Sequence, residues 1–496
     1  MKPIPELELG FNDAENHQRR ENRELFNKIF VKNTFLGELL ESSKFFLIGE
    51  KGTGKTAYAV FLVNNHYHEN SAELKFIRET DYEKFITMKN EKHLQLSDYP
   101  SIWKVIILLL LSKSIKPSEL DHNPFTKSRR IKALWAAIDE YYNKAFSPEI
   151  LYALNWLKDS KIAAELVTKY LRLGGEENLT ASFQESKFQV NLLYIENQFR
   201  KALSDLKLKE NHILFIDGID IRPGLIPYND YLNCIKGLAE ATWHLNNDFF
   251  PSIKDSKGRF RCVLLLRPDI FNSIGLQNQT NKIRDNSVFL DWRTTYPSHR
   301  SSYLFELSDK LLSAQQLEPH ALGEAWDYYV PWKATSTDES GEYDPSFVSV
   351  LRISYSRPRD IVTILHILKE EFLEKSRSPN SPFLVQDFMG HDFQNKYSEY
   401  LMGGIKDQLA FYYNQEDYEM FLKFFTFLQG KANFSYEEYI ETYNIFTEYV
   451  LNNSKEIPEF VETSERFLLK LTDLLFDFSC GHQESLELFD NLCSTG

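Results

Sequence analysis

Three stretches of the chain are apolar without alternation, and each stops at a glycine or a charged residue. Phe45-Phe46-Leu47-Ile48 runs into Gly49, Ile213-Leu214-Phe215-Ile216 into Asp217, and Cys262-Val263-Leu264-Leu265-Leu266 into Arg267. A strand covered on one face alternates apolar and polar residues, whereas one covered on both faces is apolar throughout, so these runs predict central strands of a parallel sheet. Ala72–Ile77 predicts one further strand. Val105–Leu111, preceded by Ile102 and Trp103, is also continuously apolar, yet it falls far short of the roughly 20 residues that span a bilayer and predicts a buried helix. Helical spacing dominates residues 1–40, where Phe26, Ile29, Phe30, Phe35, Leu36 and Leu39 form an apolar face. It also dominates residues 95–205, a long insertion without internal repeats and a plausible place for partner contacts. Ala334–Pro345 is polar and predicts an exposed loop.

The chemistry sits where the strands end. Gly49-Glu50-Lys51-Gly52-Thr53-Gly54-Lys55-Thr56, followed by Ala57, matches the P-loop pattern at every fixed position, with a buried strand before it and a helix after it. Gly49, Gly52 and Gly54 free the backbone to aim consecutive N–H groups at phosphate, and the helix that follows presents its positive end to the same anion. Lys55 is expected to reach the β- and γ-phosphates of ATP, and the Thr56 hydroxyl to ligate Mg²⁺. The competing reading, a chance glycine-rich turn, leaves the match at both flanks unexplained.

Asp217 emerges from the carboxyl end of its strand, where open α/β sheets bind ligands, and is expected to hold Mg²⁺ through water. The next residue is Gly218, where many hydrolytic P-loop ATPases place a glutamate that orients the attacking water. Asp220 is the nearest substitute, with a turn-forming role equally open to it. Arg267 ends the third strand where a γ-phosphate sensor would sit, or else pairs with Asp269. Ser354-Tyr355-Ser356-Arg357-Pro358-Arg359-Asp360-Ile361-Val362 predicts a loop entering a helix, with Pro358 or Arg359 placed for a lid to touch nucleotide.

The order of these parts resembles prokaryotic ATPases of the AAA+/STAND/KAP neighbourhood, above all a family of bacterial P-loop ATPases that includes proteins known as FunZ. The lead-in Gly10-Phe11-Asn12-Asp13-Ala14-Glu15-Asn16, Arg19-Arg20-Glu21-Asn22 and Leu25–Val31, with the core Phe45–Tyr58, is similar to that family's opening. The resemblance covers about the first three hundred residues well and the rest loosely. It implies an ATP-driven switch or regulator, often in mobile-element or phage-defence settings. Gly218 departs from the usual pattern and weighs against motor activity. The expected architecture is an α/β P-loop NTPase core, with a parallel sheet in three layers, over residues 1–300. It carries the helical insertion and is followed by a helical lid over 301–395 and a helical or winged-helix domain over 396–496.

With 496 residues the chain exceeds one compact core. Its 38 Phe and 26 Tyr supply the material for packed helical layers. A net charge of −14 argues against coating nucleic acid, and the basic cluster Lys127–Lys132 near Trp135 predicts a solvated helix face, with a local phosphate contact as the competing reading. Cys234, Cys262, Cys480 and Cys493 are scattered and predict neither metal nor disulfide frameworks, which fits a reducing cytoplasm. Met1–Glu8 lacks the apolar segment of a secretory signal. No protease, nuclease or triad spacing accompanies the P-loop, and His212, His244 and His366 predict structural roles. The expected partners are a second copy of the chain or a separately encoded effector, with no membrane contact. Three functions remain: a slowly hydrolysing ATPase switch, an oligomeric motor on DNA or protein, and a module holding ATP as a structural ligand.

Overall fold

The predicted strands pair into one parallel sheet. Phe46–Ile48 (β1), Asn70–Phe76 (β2), Asn211–Asp217 (β3), Phe260–Leu266 (β4) and Ser287–Phe289 (β5) lie in the order β2-β3-β4-β1-β5, every neighbouring pair parallel. Leu47 registers with Leu265 on one side and Val288 on the other, and Ile216 with Leu264. Strands β1 and β4 and the apolar run of β3 are buried throughout, as their composition demands. Strand β5 was not anticipated. It has three residues and exposes Phe289, so it leaves no apolar run to read.

The computed structural model describes residues 1–77, 99–144, 185–220, 222, 228–274, 284–335, 343–412, 415–429 and 434–453. Contacts divide the chain into two units interleaved in sequence, Lys32–Glu50 with Lys55–Leu290, and Met1–Val31 with Lys51–Gly54 and Asp291–Gly496.

The first unit holds the sheet, flanked by helices. The Tyr99–Ser114 helix buries the run Val105–Leu111 on all sides, as expected of a helix too apolar for a surface. It packs on the Tyr228–His244 helix, where Trp103 Nε1 donates to the Cys234 carbonyl at 3.1 Å. Residues 145–184 of the expected helical insertion lie outside the described residues, and its described part is helical over Pro124–Lys144 and Glu185–Ser204. In the basic cluster Arg130 pairs with Asp205, and Trp135 is exposed. Cys234 and Cys262 are buried free thiols, whereas Cys480 and Cys493 lie outside the described residues.

Among its described residues, the second unit is helical apart from one antiparallel pair, Lys333–Thr335 (β6) with Tyr343–Pro345 (β7). This pair corrects the expectation of a plain loop over Ala334–Pro345: main-chain pairing needs no apolar run, and the ends of the stretch supply it. Three-ten turns at Ile4–Glu6, Ala14–Gln18 and Arg20–Asn22 interrupt the helical lead-in expected over residues 1–40, the first with proline at its start. Of the apolar face predicted there, Phe26, Ile29, Phe30, Leu36 and Leu39 are buried in their own units. The lead-in is tied by its carbonyls to the Pro358–Glu374 helix: Lys369 Nζ donates to Leu7 O at 2.6 Å and Arg359 Nε to Asn12 O at 3.1 Å. A core of Phe305, Trp326 and Phe347 is packed edge to face, with Trp326 Nε1 donating to Ser346 Oγ. Beyond residue 396 the described residues are helical only, in His391–Tyr412, Gln415–Phe427 and Tyr436–Asn453; 454–496 lie outside them. Among the described residues no helix is long and apolar enough to cross a membrane.

Candidate functional site

All strands of the β1–β5 sheet run the same way, so Gly49, Asp217 and Arg267, each at or just past a strand's carboxyl end, share one edge. Strand β4 lies between β1 and β3 in the sheet. Main-chain bonds pin that edge: Gly49 N donates to Leu266 O at 3.1 Å and Leu290 N to Ile48 O at 2.8 Å.

In the sheet-bearing unit, Lys55 and Thr56 open the Lys55–Asn64 helix. Thr56 Oγ1 donates to Asp217 Oδ2 at 2.5 Å, across 161 residues of sequence. Lys55 is buried and donates to the carbonyls of Gly49, at 2.7 Å, and Glu50, at 3.1 Å. Burial lowers the Lys55 pKa, opposed by the charges of Asp220, Asp217 and Glu50 and assisted by that of Arg267. Burial raises the Asp217 pKa and Asp220 adds to the rise, while Thr56, Lys55 and the Gly218 N–H pull it down. Ala57 follows on the same helix, half-buried. Two carboxylates and one ammonium thus meet beside hydroxyl and amide donors. Among the described residues no group of three or more His, Cys, Asp or Glu gathers as a metal cluster. The hydroxyl of Thr56 and the carboxylate of Asp217 are nevertheless the hard oxygen donors that Mg²⁺ takes.

Gly218 has a structural reason. Its φ is +84°, and a Cβ there would come within 2.3 Å of the Ile77 carbonyl oxygen, where the chain leaves β2. Ile77 N in turn donates to Asp217 O at 2.8 Å. Residue 218 therefore has no room for a side chain, which accounts for the glutamate missing from the sequence pattern. Asp220, half-buried in the turn that follows, is close enough to act electrostatically on both Lys55 and Asp217. Arg267 is almost fully buried and directs its fork at Asp269, with Nε to Oδ1 at 3.0 Å and Nη2 to Oδ2. Of the two readings open in the sequence, the Asp269 pair is the one formed here, while the guanidinium stays near enough to bear on Lys55.

The middle of the loop, Lys51–Gly54, belongs by its contacts to the helical unit. Gly52 and Gly54 both take φ +91°, the backbone that glycine permits. Around them the sequence reading missed several partners. Arg357 Nη1 donates to Lys51 O at 3.0 Å, Arg359 N to Gly52 O at 3.2 Å and Trp292 Nε1 to Thr53 O at 2.8 Å, while Lys51 Nζ pairs with Asp407. Arg357 is held by Asp360, whose fully buried carboxylate also accepts from Tyr400 Oη at 2.7 Å and Tyr355 N at 2.9 Å. The Arg-Pro-Arg-Asp helix start was the only signal of this cluster, because nothing local in the sequence says which carbonyls it meets. No family model, curated protein or solved structure matches the chain.

Proposed function

We propose that the chain is an ATP-binding P-loop protein that hydrolyses slowly and acts as a nucleotide-dependent switch of the AAA+/STAND/KAP type. The observation that carries this reading is the Thr56–Asp217 hydrogen bond at the carboxyl edge of a parallel sheet, with Lys55 beside it. A hydroxyl and a carboxylate that the sequence marks independently as Mg²⁺ ligands touch in the fold. In this account Gly49, Glu50, Lys51, Gly52, Thr53, Gly54 and Ala57 shape the phosphate cradle. Lys55 exchanges two neutral carbonyl acceptors for charged phosphate oxygens, a stronger partnership for a buried ammonium. Thr56 and Asp217 would hold Mg²⁺, which when bound neutralises charge on the terminal phosphates. Asp220 orients water, and Arg267 serves as a phosphate sensor by giving up Asp269.

The packing of Gly218 against Ile77 favours a second reading, in which ATP is a structural ligand, since the position of the usual base is closed to any side chain. Turnover with Mg²⁺, recorded together with particle mass in the presence and absence of ATP, separates the two. Slow turnover lost in Asp220→Asn, with a mass that changes on ATP addition, supports the switch. Retained nucleotide with neither turnover nor change in mass refutes it. The effector, whether a second copy or another protein, follows from what assembles in the ATP state.

A further inference from the structure

The other edge of the same sheet carries a cavity of about 220 Å³, lined by the first residues of β2, β3 and β4 and by residues just before β1 and β5. No Asp or Glu lines it. Arg261 does, although it is only 5% exposed, and its Nη1 donates to the main-chain oxygens of Glu41 and, at 3.0 Å, Lys44. Among the described residues no carboxylate meets this guanidinium, and burial alone pushes its pKa down to about 10. Arg259, exposed on the same rim, has no side-chain partner among the described residues, and Lys44 Nζ donates to the Asp285 carbonyl at 2.8 Å. Two arginines thus line one concavity with no carboxylate partner among the described residues, and Lys44 follows Ser43 of its lining, in a chain whose net charge is −14.

Acidic residues are in excess in this sequence, so a buried arginine facing none of them is an energetic cost that an ionic partner from outside would relieve. Clefts lined by one sign of charge concentrate the opposite ion. The planar fork of arginine matches phosphate oxygens two at a time, and two arginines suit a dianion. The Ser42 hydroxyl on the rim has no partner among the described residues. Asn247 and Asn286 spend their amide N–H groups on carbonyls at Trp243 and Ser43, which leaves their amide oxygens to accept from ligand hydroxyls. The cavity lies below the roughly 300–1,000 Å³ of drug-sized ligand sites, which suits a small ligand such as a sugar phosphate.

We propose that this cavity binds a small phosphorylated, hydroxyl-bearing metabolite, with its phosphate on Arg261 and Arg259. The site shares no residue with Gly49–Thr56 and stands whether or not that loop holds ATP. The test is titration of the full chain with ribose 5-phosphate, ribose and citrate, followed by calorimetry and by hydrogen exchange read on segments 40–46 and 258–262. Ribose 5-phosphate is expected to bind and slow exchange in those segments, and ribose and citrate are not. Arg259→Ala, which removes an exposed side chain, is expected to weaken binding at least tenfold, and Arg261→Lys to weaken it further while the fold persists. Absence of binding, protection confined to residues 49–56, equal binding of citrate, or undiminished affinity in Arg259→Ala would each overturn the proposal.

Discussion

Placing alanine at position 218 tests the strand geometry that sets Asp217. Two costs combine. An L-residue forced into left-handed backbone loses about 1–2 kcal/mol, and φ is +84° here. Driving a Cβ to 2.3 Å from the Ile77 carbonyl oxygen requires that segment to move, and overpacking of this kind costs about 1–3 kcal/mol. The movement also threatens the 2.8 Å bond from Ile77 N to Asp217 O, which ties the exit of β2 to the end of β3. The expected total of about 2–5 kcal/mol corresponds to amide opening faster by roughly 30-fold to several thousand-fold, at 1.36 kcal/mol per factor of ten. Hydrogen exchange of β2 and β3 in Gly218→Ala against the native chain reads this directly. Gly218→Glu is likewise expected not to raise ATP turnover, because the added carboxylate comes with a displaced strand end. Opening accelerated by less than about threefold, or a gain of turnover in Gly218→Glu, would refute the reasoning.

Three further outcomes follow from the geometry. Asp217→Asn should weaken ATP binding in the presence of Mg²⁺ by about 10–100-fold, the range seen when groups around a metal are altered, with a smaller loss in EDTA; equal losses in both would remove Asp217 from the metal. Asp360→Ala leaves Arg357, mostly shielded from solvent, without its carboxylate and should destabilise the helical unit by about 3–5 kcal/mol in chemical denaturation, a value under about 1 kcal/mol contradicting the account. Burial lowers the His17 pKa from 6.5 to about 4, where its ring stacks on Phe26 at 4.4 Å. The unfolded chain therefore takes up this proton first, and stability is lost as pH falls from 6.5 through 4. The full shift is worth about 3 kcal/mol, reduced by solvent reaching the ring to about 1–2 kcal/mol. His17→Phe should flatten the stability–pH curve in that window, and an unchanged slope would exclude the histidine as its cause.

What could be read from the sequence was local or fully buried. Strands β1, β3 and β4 announce themselves because both faces are covered and every side chain must be apolar. Thr56 and Asp217 were legible as a pair because each closes a motif of fixed spacing, although 161 residues lie between them. What escaped depends on main-chain partners far away. Leu7 and Asn12 bind the Pro358–Glu374 helix through carbonyls, which every residue carries, so no residue type marks them. Strand β5 and the β6–β7 pair are three residues each, too short for a period. Arg261 merely precedes the apolar run of β4, and only the fold reveals that no carboxylate faces it among the described residues. Gly218 looked like a missing catalytic group and is a packing requirement.

The measurement closest to the central claim is equilibrium binding of ATP with Mg²⁺ to the full chain, to Lys55→Ala and to Thr56→Val. The account predicts saturable binding of one ATP per chain by the native protein, reduced at least tenfold by either substitution while the far-ultraviolet dichroism stays unchanged. Equal binding by all three, or none by the native chain, would contradict a nucleotide site on Gly49–Thr56.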